Sequence, residues 1–209
     1  MPDPAAFWDK IARRYAAKPV RDPAAYELTL ERVRAHLSPA DTAMELGCGT
    51  GSTAIALAPE VGHLTATDVS PEMIAIADEK AANAGHTNLD FRVADAVAAL
   101  ESVREKPLDV VLAFHLLHLV PDLPGTLAAI AAALRPGGLL ISKTVCLGDG
   151  PGWIKLVLPV MRLFGKAPQV ALLEASALEA AIKTAGFEIA ETGTFPASPP
   201  SRFIVARQL

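Results

Sequence analysis

Residues 44–52 read Met44-Glu45-Leu46-Gly47-Cys48-Gly49-Thr50-Gly51-Ser52, and Asp68 follows at the end of the apolar run 63–67. Glycines at alternate positions behind an acidic residue describe a strand that ends in a tight turn beneath a helix. At Gly47, Gly49 and Gly51 the backbone can adopt positive φ and approach a ligand closely, because no Cβ intervenes. A carboxylate at the tip of the next strand, Asp68, stands where both hydroxyls of a ribose would donate to it. The stretch therefore predicts an α/β fold with a nucleoside ligand above the loop.

The details of the loop narrow that ligand. A dinucleotide fingerprint has glycine at its first, third and sixth positions, and here the sixth is Ser52. Glu45 would repel a pyrophosphate and suits a cationic ligand. A phosphate-binding P-loop is excluded, since no Gly-Lys-Ser/Thr follows. The nine residues, with Asp68 and the later Asp95, resemble the class I S-adenosylmethionine-dependent methyltransferases of the small-molecule type. That resemblance covers residues 40–145 in ordered motifs and the rest of the chain more loosely.

Composition bounds the other classes. The 209 residues are 51% hydrophobic, enough for a substantial core, and one domain spanning 1–209 is expected. A formal charge of −4 leaves no electrostatic footprint for nucleic acid. Cys48 and Cys146 stand far apart without CxxC companions, so a reducing compartment and no metal site are expected. Asp3, Trp8 and Asp9 interrupt any leader-like apolar stretch, and the apolar run 110–120 is too short to span a membrane. A cytoplasmic protein is the resulting expectation.

Along the chain, helix-like segments at 4–16 and 23–37 come first, with Phe7, Trp8, Ile11 and Tyr15 at helical spacing in the earlier one. Strands expected near 42–46, 63–68, 88–93, 108–114 and 138–145 then alternate with helices near 52–58, 71–84, 96–104 and 124–134. Strict alternation predicts a doubly wound parallel sheet with helices on both faces. The tail departs from it: a helix at 175–185 is followed by two strand-like runs, 187–195 and 202–207, joined by a proline-rich loop. Consecutive strands so connected pair antiparallel. One antiparallel strand closing a mostly parallel, seven-stranded sheet is what the family resemblance implies.

Candidate site residues follow the same order. Gly47, Cys48 and Gly49 would cradle the amino-acid and ribose portions of the cofactor, and Glu45 its ammonium. Asp68 takes the ribose hydroxyls, unless it serves only as a capping acid before Ser70-Pro71. Val69 and Met73 would flank the adenine, although Met73 reads equally well as core. The resemblance implies that Asp95 meets the adenine amine and that the backbone of Ala96 meets the ring. Asp95 has the alternative of capping the next helix. Phe114 completes the set at the end of the fourth strand, while Leu134-Arg135-Pro136-Gly137-Gly138 is a turn with a structural role.

His115 and His118, directly after Phe114, are the candidates for proton transfer from an acceptor, with packing roles as the alternative. The opening Phe7–Tyr15 stretch is similar to the start of small-molecule methyltransferases whose N-terminal helices, here 1–38, close over the cofactor. Tyr15, with Trp8, would then turn a ring to the sulfonium cation. Residues 146–174 form an insertion whose apolar core, 153–164, reads as buried helix, as a lid over an apolar acceptor, or as a shallow membrane contact.

The resulting expectation is an S-adenosylmethionine-dependent methyltransferase acting on a small, apolar or amphiphilic molecule. Two other classes compete with it: a catalytically inactive cofactor-binding partner or sensor subunit, and a nicotinamide oxidoreductase, which Glu45 and Ser52 oppose.

Overall fold

The computed structural model describes residues 4–103, 105–152, 157 and 170–209. Fourteen elements organise them. Helices α1 (Pro4–Ala16) and α2 (Pro23–Arg34) precede β1 (Thr42–Leu46), α3 (Ser52–Leu57), β2 (His63–Asp68), α4 (Pro71–Ala84) and β3 (Leu89–Val93). Then come α5 (Ala96–Glu101), β4 (Leu108–Phe114), α6 (Leu123–Ala133), β5 (Leu134–Val145), α7 (Ala175–Thr184), β6 (Phe187–Ala197) and β7 (Pro200–Gln208).

All seven strands form one sheet in the order β3-β2-β1-β4-β5-β7-β6. Strands β1 to β5 pair parallel, and β7 runs antiparallel between β5 and β6. The antiparallel return expected from the short 197–200 connection is therefore present. Strand β5 starts earlier than the sequence suggested, because Leu134 already pairs with Leu108 ahead of an irregularity at Leu108/Val110.

Local chemistry fixes the helix starts. Ser70 accepts from the Met73 amide and Asp95 from those of Val97 and Ala98, while Asp22 and Asp122 cap α2 and α6 through Ala25 and Gly125. Such caps satisfy amide donors that have no partner inside the helix. Proline in the first turn of α2, α4 and α6 loses nothing there, since its missing N–H would be unpaired.

Strand alternation divides the core in two. On one face Met44, Leu46, Val111 and Leu140 pack with Leu127 and Ile130 of α6 and with Leu178 and Ile182 of α7. On the other Ala43, Leu64, Leu112, Ile141 and Phe203 pack with Leu30 and Val33 of α2 and Leu57 of α3. A third, smaller cluster joins α1 to α4 through Ala12, Met73 and Ile76, with Trp8 packed against them. Among the described residues no helix is long and apolar enough to cross a membrane. Of the segment 153–164 only Val157, which is exposed, lies within the described residues. The expectation of an apolar lid there falls outside them.

Candidate active site

Strand order reverses at β1: β2 and β3 lie to one side of it, β4 and β5 to the other. In open α/β sheets the crevice at the carboxyl ends of the strands flanking such a point receives ligands. Here it is walled by the loop after β1 and the loop after β4. The two touch, for a Cβ on Gly47 would stand 2.8 Å from Leu116 Cδ1.

The three loop glycines have φ of 66°, 55° and 73°, a region that side chains other than glycine's occupy at a cost. Their surroundings differ. A Cβ on Gly51 would meet Phe91 and Ala77 at 2.7–2.8 Å, so packing demands glycine there as it does at Gly47. Around Gly49 nothing lies within 4 Å of the corresponding position. The middle of the loop is thus an open cradle beside exposed backbone, as a closely approaching ligand requires.

Asp68 fixes that cradle. Its Oδ2 accepts from the Gly49 amide and its Oδ1 from the Ser70 amide, both at 2.9 Å. Two bonds leave lone pairs free, since a carboxylate offers about four acceptor sites. Burial raises its pKa, with backbone hydrogen bonds pulling the other way. Ser70 hands the network on to α1: its hydroxyl donates to Asp9 Oδ1, which also accepts from the Glu72 amide at 3.2 Å. The N-terminal helix is therefore hydrogen-bonded to the start of α4, where Ser70 stands two residues from Asp68. Tyr15 lies further along α1, 51% exposed, and its phenol pKa is raised by partial burial and by the charge of Asp68.

Glu45 is the most constrained acid. It is 2% exposed, its Oε2 has no hydrogen-bond partner, and burial, reinforced by the charge of Asp68, pushes its carboxyl up to about 8. A protonated buried acid with an orphan oxygen is a site prepared for a cation, which would restore the carboxylate. The open cradle at Gly49 and the unpartnered Glu45 oxygen both fit a cationic nucleoside ligand.

Other predicted residues take different places. Cys48 is buried in the loop, with burial pushing its thiol up. Val69 is half-buried beside Asp68. Met73 is buried between α1 and α4, because Met73, Ile76 and Ala77 share one helix face, so its side chain belongs to the core. Asp95 is exposed and uses Oδ1 to cap α5. With the half-buried Ala96 it borders a cleft of about 210 Å³ whose far wall is Val120, Pro121 and Thr126. Phe114 is buried on the α2 face of the sheet.

The two histidines separate. His115 has φ +56°, a conformation in which a side chain is strained, and its amide donates to the Lys143 carbonyl at 2.7 Å. It is open to solvent on one side and crowded on the others. That crowding and the charge of Lys143 lower its pKa to about 4. His118 is buried with an unpartnered Nδ1 and is lowered likewise, first by burial and then by His115. Its carbonyl accepts from Ala171, so the chain leaving the insertion crosses this loop. His115 is thus exposed after β4, and His118 is buried.

Two lysines complete the site without having been anticipated. Lys80 on α4 donates to Thr50 O, Thr50 Oγ1 and Ser52 Oγ at 2.8–3.2 Å, clamping the glycine loop from behind. Lys143, 5% exposed near the carboxyl end of β5, donates to Thr29 Oγ1 at 2.6 Å and Ala25 O at 3.2 Å. A lone charge within Leu139-Leu140-Ile141-Ser142-Lys143 was the visible signal for it. Among the described residues no group of three or more His, Cys, Asp or Glu side chains is placed to hold a metal ion.

Comparison with known proteins places this geometry. Residues 43–138 match a family model described as a methyltransferase domain. A ubiquinone biosynthesis O-methyltransferase of Xylella fastidiosa (strain 9a5c) is 33% identical over 102 residues, 49% of this chain and 41% of that protein. The chain thus spans about two fifths of that relative's length. Among solved structures, magnesium protoporphyrin IX methyltransferase from Synechocystis PCC 6803 with bound S-adenosylhomocysteine superposes with a TM-score of 0.73 at 18% identity. That match covers 98% of each chain. The N-methyltransferase NodS from Bradyrhizobium japonicum WM9, also with S-adenosylhomocysteine, gives 0.71 at 18% identity over 96% of this chain and 98% of its own.

Proposed function

We propose that this chain, whose residues 43–138 match a methyltransferase domain, is a class I S-adenosylmethionine-dependent methyltransferase that methylates a small, apolar or amphiphilic molecule in the crevice between the β1 and β4 loops. The observation that carries the reading is the pairing of the open cradle at Gly49 with the buried, unpartnered Glu45.

In this reading Asp68 accepts from the ribose hydroxyls while Gly49 and Ser70 hold its carboxylate in orientation. Glu45 receives the ligand's ammonium and gives up its proton. The cleft bordered by Asp95 and Ala96 seats the adenine. Tyr15 closes over the site from α1, helped by Trp8, whose ring meets it edge-on at 6.5 Å. The bound cofactor supplies a methyl group on a positively charged sulfur, an activated leaving arrangement. What the protein contributes is alignment and the exclusion of water. His115, exposed after β4, is the group that meets the acceptor, and the buried His118 holds the loop. One domain, 1–209, carries both halves of the site.

Incubation with S-adenosylmethionine and a panel of small phenols, acids, amines and thiols tests the reading. Release of S-adenosylhomocysteine together with a product heavier by one methylene is the expected result. Tight S-adenosylhomocysteine binding with no product from any acceptor would instead favour a cofactor-binding subunit. Absence of binding would remove the proposal.

A further inference from the structure

The carboxyl edge of the sheet is divided by charge. On the β1–β2 side stand Glu45 and Asp68, and on the β4–β5 side stand His115 and Lys143. Lys143 pairs in register with Phe114 on β4 and with Phe203 on β7, so its side chain lies on the face covered by α2. Its ammonium touches only uncharged groups: Thr29 Oγ1, Ala25 O and the ring of Phe195, whose centroid is 4.9 Å away. No carboxylate among the described residues forms an ion pair with it. Asp22, at the start of α2, acts on it only from a distance.

A buried ammonium without a counter-ion is costly to keep, and cores replace such charges by apolar residues with little loss. Lys143 is tied instead to the loop after β4, its own carbonyl accepting from the His115 amide while its charge reaches the His115 ring. Resting on the methyltransferase reading above, we propose that the acceptor is taken as an anion, its reacting oxygen or sulfur already ionised, and that Lys143 selects it over a neutral molecule.

The chemistry balances on those terms. The anionic atom forms its bond to the methyl carbon as the carbon–sulfur bond breaks and that electron pair returns to sulfur. One negative and one positive charge are consumed, and no proton remains to be removed. A strong base is then unnecessary, which agrees with an imidazole at His115 that burial and Lys143 keep neutral and weakly basic. Neutral His115 offers one N–H to the anion, and Lys143 supplies the field. Lys143 is a specificity-determining residue that acts at a distance; His115 is the one in contact.

4-Nitrophenol tests this, because its ionised form is visible by absorbance, with 4-nitroanisole as the neutral control. Bound to the full chain, with and without S-adenosylhomocysteine, the phenol should titrate about one pH unit below its free value, equivalent to roughly tenfold selection of the anion. Lys143→Met should abolish most of that shift, Lys143→Arg should keep it, and both should bind S-adenosylhomocysteine as the wild type does. Selection should also fade above pH 8, as Lys143, its pKa lowered to about 8 by burial, loses its proton.

A bound phenol that titrates at or above its free value would overturn the proposal. So would failure of the phenol to bind, or a folded Lys143→Met protein with an unchanged shift. Should Lys143→Met not fold, the wild-type titration decides alone. Loss of S-adenosylhomocysteine binding in the wild type would sink the methyltransferase reading, while the phenol shift would still stand or fall independently.

Discussion

The two halves of the sheet's carboxyl edge solve opposite problems. The β1–β2 half gathers acids into a place short of water: burial pushes the Glu45 carboxyl up to about 8, and it raises that of Asp68 against the pull of backbone amides. The β4–β5 half gathers bases, Lys143 with uncharged partners and His115 held neutral. Each half carries a charge state that a ligand of the opposite sign would relieve. A site that brings a cation to an electron-rich acceptor gains from this separation, because the groups that bind one partner repel or ignore the other.

The largest break in this comparison is Asp68→Ala. Hydrogen bonds to a charged group are worth ~1.5–3 kcal/mol, so S-adenosylhomocysteine affinity should fall roughly ten- to hundredfold. Ser70 still caps α4, so the fold should survive. Calorimetry on a protein with wild-type circular dichroism gives the answer. Unchanged affinity would leave Asp68 a loop anchor and nothing more.

Glu45 sharpens the comparison through pH. A cation binds the carboxylate and not the acid, so affinity for S-adenosylmethionine should rise by up to about tenfold per pH unit until pH 8 and then level off. Glu45→Gln should bind more weakly above pH 8 and lose the slope. Stability runs the other way. The folded state holds the Glu45 proton above the unfolded value, so this group's contribution is complete below pH 4.5 and is lost as pH rises through 8. Melting temperatures of wild type and Glu45→Gln should diverge over that window, with the variant gaining.

Lys80→Met asks whether the acid half depends on its loop being clamped. Deleting three hydrogen bonds from a half-buried side chain to uncharged groups should cost ~1 kcal/mol, a several-fold loss of cofactor affinity. Acceptor KM should stay near wild type, because the clamp lies on the other half. An equal rise in KM would show the halves to be mechanically joined. The smallest effect is the one expected of a chelator. Turnover in EDTA should match the untreated enzyme, and loss restored by a divalent ion would place a metal where two charge-opposed halves now suffice.

Legibility followed sequence distance. The sheet could be read because each element carries its own start and stop: Ser70-Pro71 opening α4, Gly85 closing it, three glycines ending β1. The acid half was legible for the same reason, since Glu45, Gly49 and Asp68 lie within a single βαβ unit. Lys143 was visible only as an odd charge in an apolar strand, because the groups that hold it, Ala25 and Thr29, are 118 and 114 residues away. Asp9 was hidden likewise, its partner Ser70 being 61 residues distant. Met73 could be read two ways from its proximity to Asp68, as ligand contact or as core, and only the packing of α1 on α4 shows which helix covers it. A one-dimensional reading identifies motifs; it does not say which helix will cover them.

Strand β7 has a consequence for how the molecule comes into being. It lies between β5 and β6, yet follows both in the chain. Until residues 200–208 arrive, β5 must wait with one row of amides and carbonyls unpaired and with Leu139, Ile141 and Lys143 lacking Phe203 and Val205 beside them. During synthesis the nascent chain therefore carries an open, mostly apolar edge until residues 200–208 clear the ribosome tunnel. Such an edge invites pairing with another nascent chain. Yield on expression should accordingly be more sensitive to slow translation of the codons for residues 187–208, or to a shortage of chaperone at that moment, than to anything done to the glycine loop.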